Sequence, residues 1–205
     1  MHDLWLSPLR RRIATVLTDL RYGGRLLRDN IEPSSEYLGN TGYDVLPVLF
    51  RDRVRDEEVL VDVGCGKGRV LNWWLAHYPT HQIYGIELEQ SVANKTRKRL
   101  RKYKNVKILI GDACSFIPAD GSLFYLFNPF NAEVIQRFMS QLAKNPRAAN
   151  GLTRRIIYQN CTCVHLFRDH PEFLVQDVIS AANSHPCAII ELISADQRAL
   201  HSGND

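Results

Sequence analysis

The sequence predicts a doubly wound α/β fold: a mostly parallel seven-stranded sheet with helices on both faces, an antiparallel edge hairpin and an N-terminal helical cap. Three observations lead there. Seven short runs read as strands, at Val59–Val63, Gln82–Ile86, Val106–Ile110, Leu123–Phe127, Arg154–Tyr158, Phe173–Ile179 and Ala188–Ile193. Several of these are continuously apolar and alternate with helical stretches, as strands covered on both faces do. The first strand also runs directly into a glycine-rich turn, Gly64-Cys65-Gly66-Lys67-Gly68, before a helix.

The first 55 residues read as a helical cap and lid, and residues 56–205 as the core. Pro8 to Leu20 carries Leu9, Ile13, Val16, Leu17 and Leu20 at helical spacing, which predicts one buried stripe. Arg28 to Gly42 is polar and reads as an ordered loop or lid. Tyr43 to Val54 returns to helical spacing through Val45, Leu46, Leu49 and Phe50, with Pro47 acceptable in a first turn. Further helices are predicted at Arg69–His77, Ser91–Tyr103 and Ala132–Ala143, with a short turn around Cys114–Ile117. No long helix separates the last two strands, so they are expected to pair antiparallel at one edge.

The chain has 205 residues, 45% hydrophobic and 23% charged, with a net charge of +4. One domain with an ordinary core follows, and neither disorder nor a membrane span fits. Arg10-Arg11-Arg12 falls where the apolar core of a secretory signal belongs, so none is expected. Five cysteines without framework spacing point to a reducing, cytoplasmic setting. Lys95 to Lys107 carries eight bases and no acid. This run reads first as a solvated helix face, and nucleic acid is a possible but not the preferred partner.

The chemistry is concentrated at three strand ends. Val59-Leu60-Val61-Asp62-Val63 enters the glycine turn, where missing side chains let a nucleotide-like cofactor approach the backbone. Ile83-Tyr84-Gly85-Ile86 ends in Glu87, placed to accept from both ribose hydroxyls. Val106 to Ile110 ends in Gly111-Asp112-Ala113, where Asp112 could accept from an adenine amine. Each element has a structural alternative: a tight connection, a surface carboxylate, a helix N-cap. Asp62, inside a strand, calls for a partner, and a cofactor amine would supply one. The spacing Gly64-x-Gly66-x-Gly68 departs from the Gly-x-Gly-x-x-Gly of dinucleotide-binding dehydrogenases, and no second nucleotide-binding half follows.

Residues 59 to 193 resemble the class I S-adenosylmethionine-dependent methyltransferases. The resemblance rests on Asp62 through Gly68, Glu87, Gly111-Asp112-Ala113 and Leu126-Phe127-Asn128-Pro129-Phe130. It implies a seven-stranded sheet with an antiparallel last strand and S-adenosyl-L-methionine as cofactor. It further implies that Gly64, Gly66 and Gly68 approach the methionine part, Glu87 the ribose, and Asp112 and Ala113 the adenine. Asn128 would lie near the methyl sulfonium. The expected cofactor set is thus Asp62, Gly64, Cys65, Gly66, Gly68, Glu87, Leu88, Asp112, Ala113 and Asn128.

Asn128-Pro129-Phe130 resembles the tetrapeptide of amino methyltransferases but lacks one proline and continues with Asn131, which argues against base methylation. A turn that closes the strand, with Phe130 in the core, explains it equally well. Methyl transfer needs the acceptor aligned and, for an amine, deprotonated. Asn128 and Tyr37 are the catalytic candidates, with Glu36, Tyr43, Tyr158 and Asn160 as further helpers. Cys161-x-Cys163 with His165 and His170 lacks a second well-spaced pair, so no metal is expected. The expected acceptor is an amine, in protein lysine or a small molecule, or an oxygen. A nucleic-acid methyltransferase and a non-catalytic binding module are the alternatives.

Overall fold

The central sheet has seven strands in the order β3-β2-β1-β4-β5-β7-β6. The structure is a computed structural model, and it describes residues 8–22, 41–127, 130–179 and 185–193. The strands are β1 Leu60–Val63, β2 Ile83–Glu87, β3 Val106–Ile110, β4 Leu123–Phe127, β5 Arg155–Gln159, β6 Phe173–Ile179 and β7 Cys187–Leu192. β1 to β5 are mutually parallel, and β7 enters antiparallel between β5 and β6. The seven predicted strands are all present, with ends shifted by at most one residue.

The helices are α1 Pro8–Arg21, α2 Leu46–Phe50, α3 Arg69–His77, α4 Gln90–Leu100, α5 Ala132–Ala143 and α6 Val164–Arg168. Alternate strand residues face two separate cores. Leu60, Ile83, Ile108, Tyr125 and Ile157 pack with α2, α3 and α4 on one face. Val61, Ile86, Phe124, Leu126 and Tyr158 pack with α5 and α6 on the other. Pro47 sits in the first turn of α2, where its missing N–H costs no helical bond. Asn131 caps α5, its side chain accepting from the Val134 N–H at 3.0 Å. The short α6 was not predicted, because five residues are too few to show a helical period.

The predicted buried stripe of α1 is overturned. Leu9, Ile13, Leu17 and Leu20 are 67%, 51%, 62% and 51% exposed. The helix docks by its opposite, polar face instead. Buried Asp19 accepts from the Tyr43 hydroxyl at 2.8 Å and lies 3.7 Å from Arg69. Tyr22 is buried as well, and its carbonyl accepts from Arg99 at 2.8 Å. Partners for a buried carboxylate, not apolar area, fix the orientation of this helix.

At the other end of the sheet, Arg155 donates to Glu58 through Nε at 2.9 Å and through a terminal nitrogen at 2.6 Å. Both side chains are buried. Glu58 also accepts from the Arg55 N–H at 2.9 Å, so this pair fixes the chain as it enters β1.

Candidate active site at the ends of the first three strands

Parallel strands end together, so the residues following β1, β2 and β3 form one ledge at the carboxyl edge of the sheet. Backbone bonds tie them to one another. The N–H groups of Gly64 and Cys65 both donate to the Ile86 carbonyl at 2.9 Å, and the Gly111 N–H donates to the Glu87 carbonyl at 3.0 Å. The Gly66 N–H donates to Glu87 Oε2 at 2.8 Å, and the Glu89 N–H donates to Oε1 at 2.9 Å. Each carboxylate oxygen then has a second lone pair available.

The glycines divide by what surrounds them. Gly66 (φ +50°) and Gly111 (φ +147°) would each point a Cβ into open space, so both leave backbone bare on the ledge. At Gly68 (φ +74°) a Cβ would meet Thr96 and Arg99 at 3.0 Å and Leu71 at 3.2 Å. Its missing side chain lets α3 start against α4. Thr96 in turn donates to the Gly66 carbonyl at 2.8 Å, and Arg99 donates to the carbonyl of Lys67 at 2.6 Å and the side chain of Asn72 at 2.7 Å. Two of the eight bases in the run expected to be a solvated face are therefore struts. Arg99 holds the glycine turn, and Arg97 donates to the Ile108 carbonyl at 2.7 Å.

Asp62 lies on β1 between Gly85 of β2 and Tyr125 of β4, 4% exposed. Burial, reinforced by the Glu87 charge, pushes its carboxyl up to about 8. Cys65 is buried beside it, its thiol raised well above the ordinary value by the same burial and by Asp62. A cation on this ledge would return Asp62 to the ionised form. Asp112 accepts from the Cys114 N–H at 2.8 Å, closing the turn after β3, and Ala113 is buried below it.

Nine of the ten sequence-derived cofactor residues, Asp62, Gly64, Cys65, Gly66, Gly68, Glu87, Leu88, Asp112 and Ala113, thus gather at three adjacent strand ends. Asn128, the tenth, lies outside the described residues, as do Tyr37, Glu36 and most of the predicted lid. Of the remaining helpers, Tyr43 bonds Asp19 and Asn72, Tyr158 is buried against Phe167, and Asn160 follows β5 with φ +51°. Phe130 packs on Phe138 with ring centroids 5.8 Å apart.

Three contributors escaped the sequence analysis. Apart from the α1 stripe, the exposed large hydrophobics among the described residues are Leu88 (72%), Ile110 (37%) and Phe116 (57%), which follow or end β2 and β3. Leu88 was expected at the site, whereas Ile110 and Phe116 read as an ordinary strand end and turn. The third is a buried row in which Thr41 bonds Tyr125 at 2.6 Å and Tyr125 donates to Gln159 at 2.5 Å. Since the phenol proton goes to Gln159, Thr41 donates to the phenol oxygen. Among the described residues no group of three His, Cys, Asp or Glu side chains could hold a metal ion.

A family model described as a methyltransferase domain matches residues 60–149. The sheet order and the antiparallel β7 accompany it. The fold is that of the class I methyltransferases. A mitomycin 7-O-methyltransferase superposes with a TM-score of 0.52 at 16% identity, over 66% of this chain and 49% of its own. An RNA methyltransferase from Salinibacter ruber, in complex with S-adenosyl-L-homocysteine, gives 0.55 at 17% identity, over 76% and 95%. An uncharacterized protein from Listeria monocytogenes serotype 4b gives 0.57 at 11% identity, over 76% and 69%. The chain thus spans about half the length of that O-methyltransferase. No curated protein sequence matches the chain.

The glycine turn after β1 differs electrostatically from a dinucleotide site. A pyrophosphate needs backbone donors aimed at it. Here the N–H groups of Gly64, Cys65, Gly66 and Gly68 are taken by Ile86, Glu87 and Cys65. Asp62, Glu87 and Asp112 then make the ledge acidic, which suits a cationic ligand.

Proposed function

We propose that the protein transfers a methyl group from S-adenosyl-L-methionine to an amine or oxygen acceptor in a protein or small molecule, with an amine acceptor first. The observation that carries this reading is the pairing of a turn whose donors are already used with an acidic ledge bordered by Leu88, Ile110 and Phe116. That combination suits an adenosine bearing a positive charge. S-adenosyl-L-methionine supplies an electrophilic methyl group on a sulfonium sulfur.

Glu87 would accept from the ribose hydroxyls through its second lone pairs. Leu88, Ile110 and Phe116 would cover the base, beside Asp112 and Ala113. Bare backbone at Gly66, next to Gly64 in the turn, would admit the methionine part, and Asp62 would face its ammonium. On the acceptor side, Asn128 follows β4, and the Thr41–Tyr125–Gln159 row reaches the end of β5. These groups, with Tyr37, would orient the acceptor and exclude water, and alignment supplies most of the catalysis such a displacement needs. Residues 1–55 would form the acceptor-facing cap and residues 56–205 the cofactor-binding core. Five cysteines, none of them in a disulfide, fit a cytoplasmic setting.

A nucleic-acid acceptor is the second reading, favoured by the exposed bases Lys95, Lys98, Arg101, Lys102 and Lys104. Against it, α4 starts beside the ledge at Glu89 and runs away from it, so Arg101 to Lys104 fall near the start of β3. A labelled-methyl screen over protein, RNA and small-molecule pools tests both, with Glu87→Ala as the control. Label in RNA that falls steeply with salt selects the second reading. Cofactor binding with no transfer to any pool selects a binding module.

A further inference from the structure

We propose that α1 is a docking helix for an anionic phospholipid surface. The helix holds the domain by Asp19 and Tyr22 and turns Leu9, Ile13, Leu17 and Leu20 outward, each more than half exposed. These four positions fall on one face at helical spacing, with Val16 between them. Arg10 and Arg21 border that face on one side and Arg12 on the other, all three exposed. The one acid of the helix, Asp19, is buried and held by Tyr43 and Arg69. The outward half of α1 is therefore apolar in the middle, basic at both borders and free of acid.

Such a helix lies in a membrane interface with its apolar face among the acyl chains and its arginines at the headgroups. Charge selects this occupant over a second copy of the chain. Two α1 helices packed face to face would bring arginine borders together with no acid between them, whereas anionic headgroups neutralise both borders at once. Four side chains also fall well short of the roughly 800 Å² per partner that a stable dimer buries. Among the described residues no helix is long and apolar enough to span a membrane, so the contact is with the surface.

The test is sedimentation of the full chain with vesicles of phosphatidylcholine containing about 30% phosphatidylglycerol, against phosphatidylcholine alone. The parent should partition at least about tenfold more strongly to the anionic vesicles, and salt should weaken it. Ile13→Glu with Leu17→Glu should lose about tenfold or more of that binding with an unchanged melting temperature, because both positions are exposed. Arg12→Gln with Arg21→Gln should remove most of the preference for anionic lipid. Equal binding to both vesicle types, or undiminished binding by the Ile13→Glu, Leu17→Glu variant, overturns the proposal. So does a fall in that variant's melting temperature, which would mean that the chain itself covers the stripe. A parent that sediments as a dimer without lipid, and a variant that sediments as a monomer, would assign the face to self-association instead.

Discussion

Glu87 Oε2 accepts the Gly66 N–H at 2.8 Å, so the acid at the end of β2 holds the turn that follows β1. One carboxylate thereby shapes the glycine turn and faces the ledge beside it. Glu87→Ala should weaken binding of S-adenosylhomocysteine about ten- to a hundredfold, the loss of a charge-assisted bond or two. It should also cost about 1 kcal/mol of stability through the orphaned Gly66 and Glu89 N–H groups. Glu87→Gln, which keeps one acceptor oxygen, should recover part of both. Calorimetric titration and a denaturant melt of the three proteins check this.

Gly66→Ala and Gly68→Ala should separate ligand approach from packing. Both require a positive φ, which costs an alanine roughly 1–2 kcal/mol. At Gly66 the new methyl group enters open space on the ledge, so affinity should fall while the fold survives. At Gly68 it presses on Thr96 and Arg99 at 3.0 Å, so the melting temperature should drop further. Equal melting temperatures for the two variants would refute the division.

Asp62 makes stability depend on pH in a stated direction. Its folded carboxyl titrates near 8, above the ordinary carboxylate value of 3.8, so the folded state holds the proton more tightly than the unfolded chain does. Between those values the folded state binds more protons, and stability must fall as pH rises from about 4 to about 8. Asp62→Asn should remove that slope, matching the parent near pH 4 and exceeding it near pH 8 when no ligand is bound. The same variant should bind S-adenosylmethionine more weakly. Binding to the parent near pH 7 should release protons, readable as a buffer-dependent enthalpy.

The strands of the sheet, its antiparallel edge pair and the three strand ends that form the ledge were legible because they depend on local pattern. Val59–Val63 is apolar, the glycines follow it, and Glu87 and Asp112 end the next two strands. The orientation of α1 was not legible. Leu9, Ile13, Leu17 and Leu20 carry the spacing of a buried stripe, while the contacts that dock the helix join Asp19 to Tyr43 and Arg69, far apart in sequence. Arg99 was hidden likewise among seven other bases, and nothing local distinguishes the one whose guanidinium reaches the Lys67 carbonyl. Phe116 falls in the short turn predicted around Cys114–Ile117, and nothing local shows that the turn closed by Asp112 leaves its ring exposed on the ledge.

The Glu58–Arg155 pair should matter to the fold and not to the ledge. Both side chains are buried, so Glu58→Ala leaves an uncompensated guanidinium and should cost roughly 3–5 kcal/mol. Affinity for S-adenosylhomocysteine, measured well below the lowered melting temperature, should stay within about twofold of the parent.

The most direct measurement is a calorimetric titration of the protein with S-adenosylhomocysteine, beside a nicotinamide dinucleotide under the same conditions. One-to-one binding of S-adenosylhomocysteine, weakened ten- to about a hundredfold by Glu87→Ala, with no heat from the dinucleotide, is the expected result. Binding of the dinucleotide with none of S-adenosylhomocysteine would contradict it, because the turn would then be offering its N–H groups to a pyrophosphate.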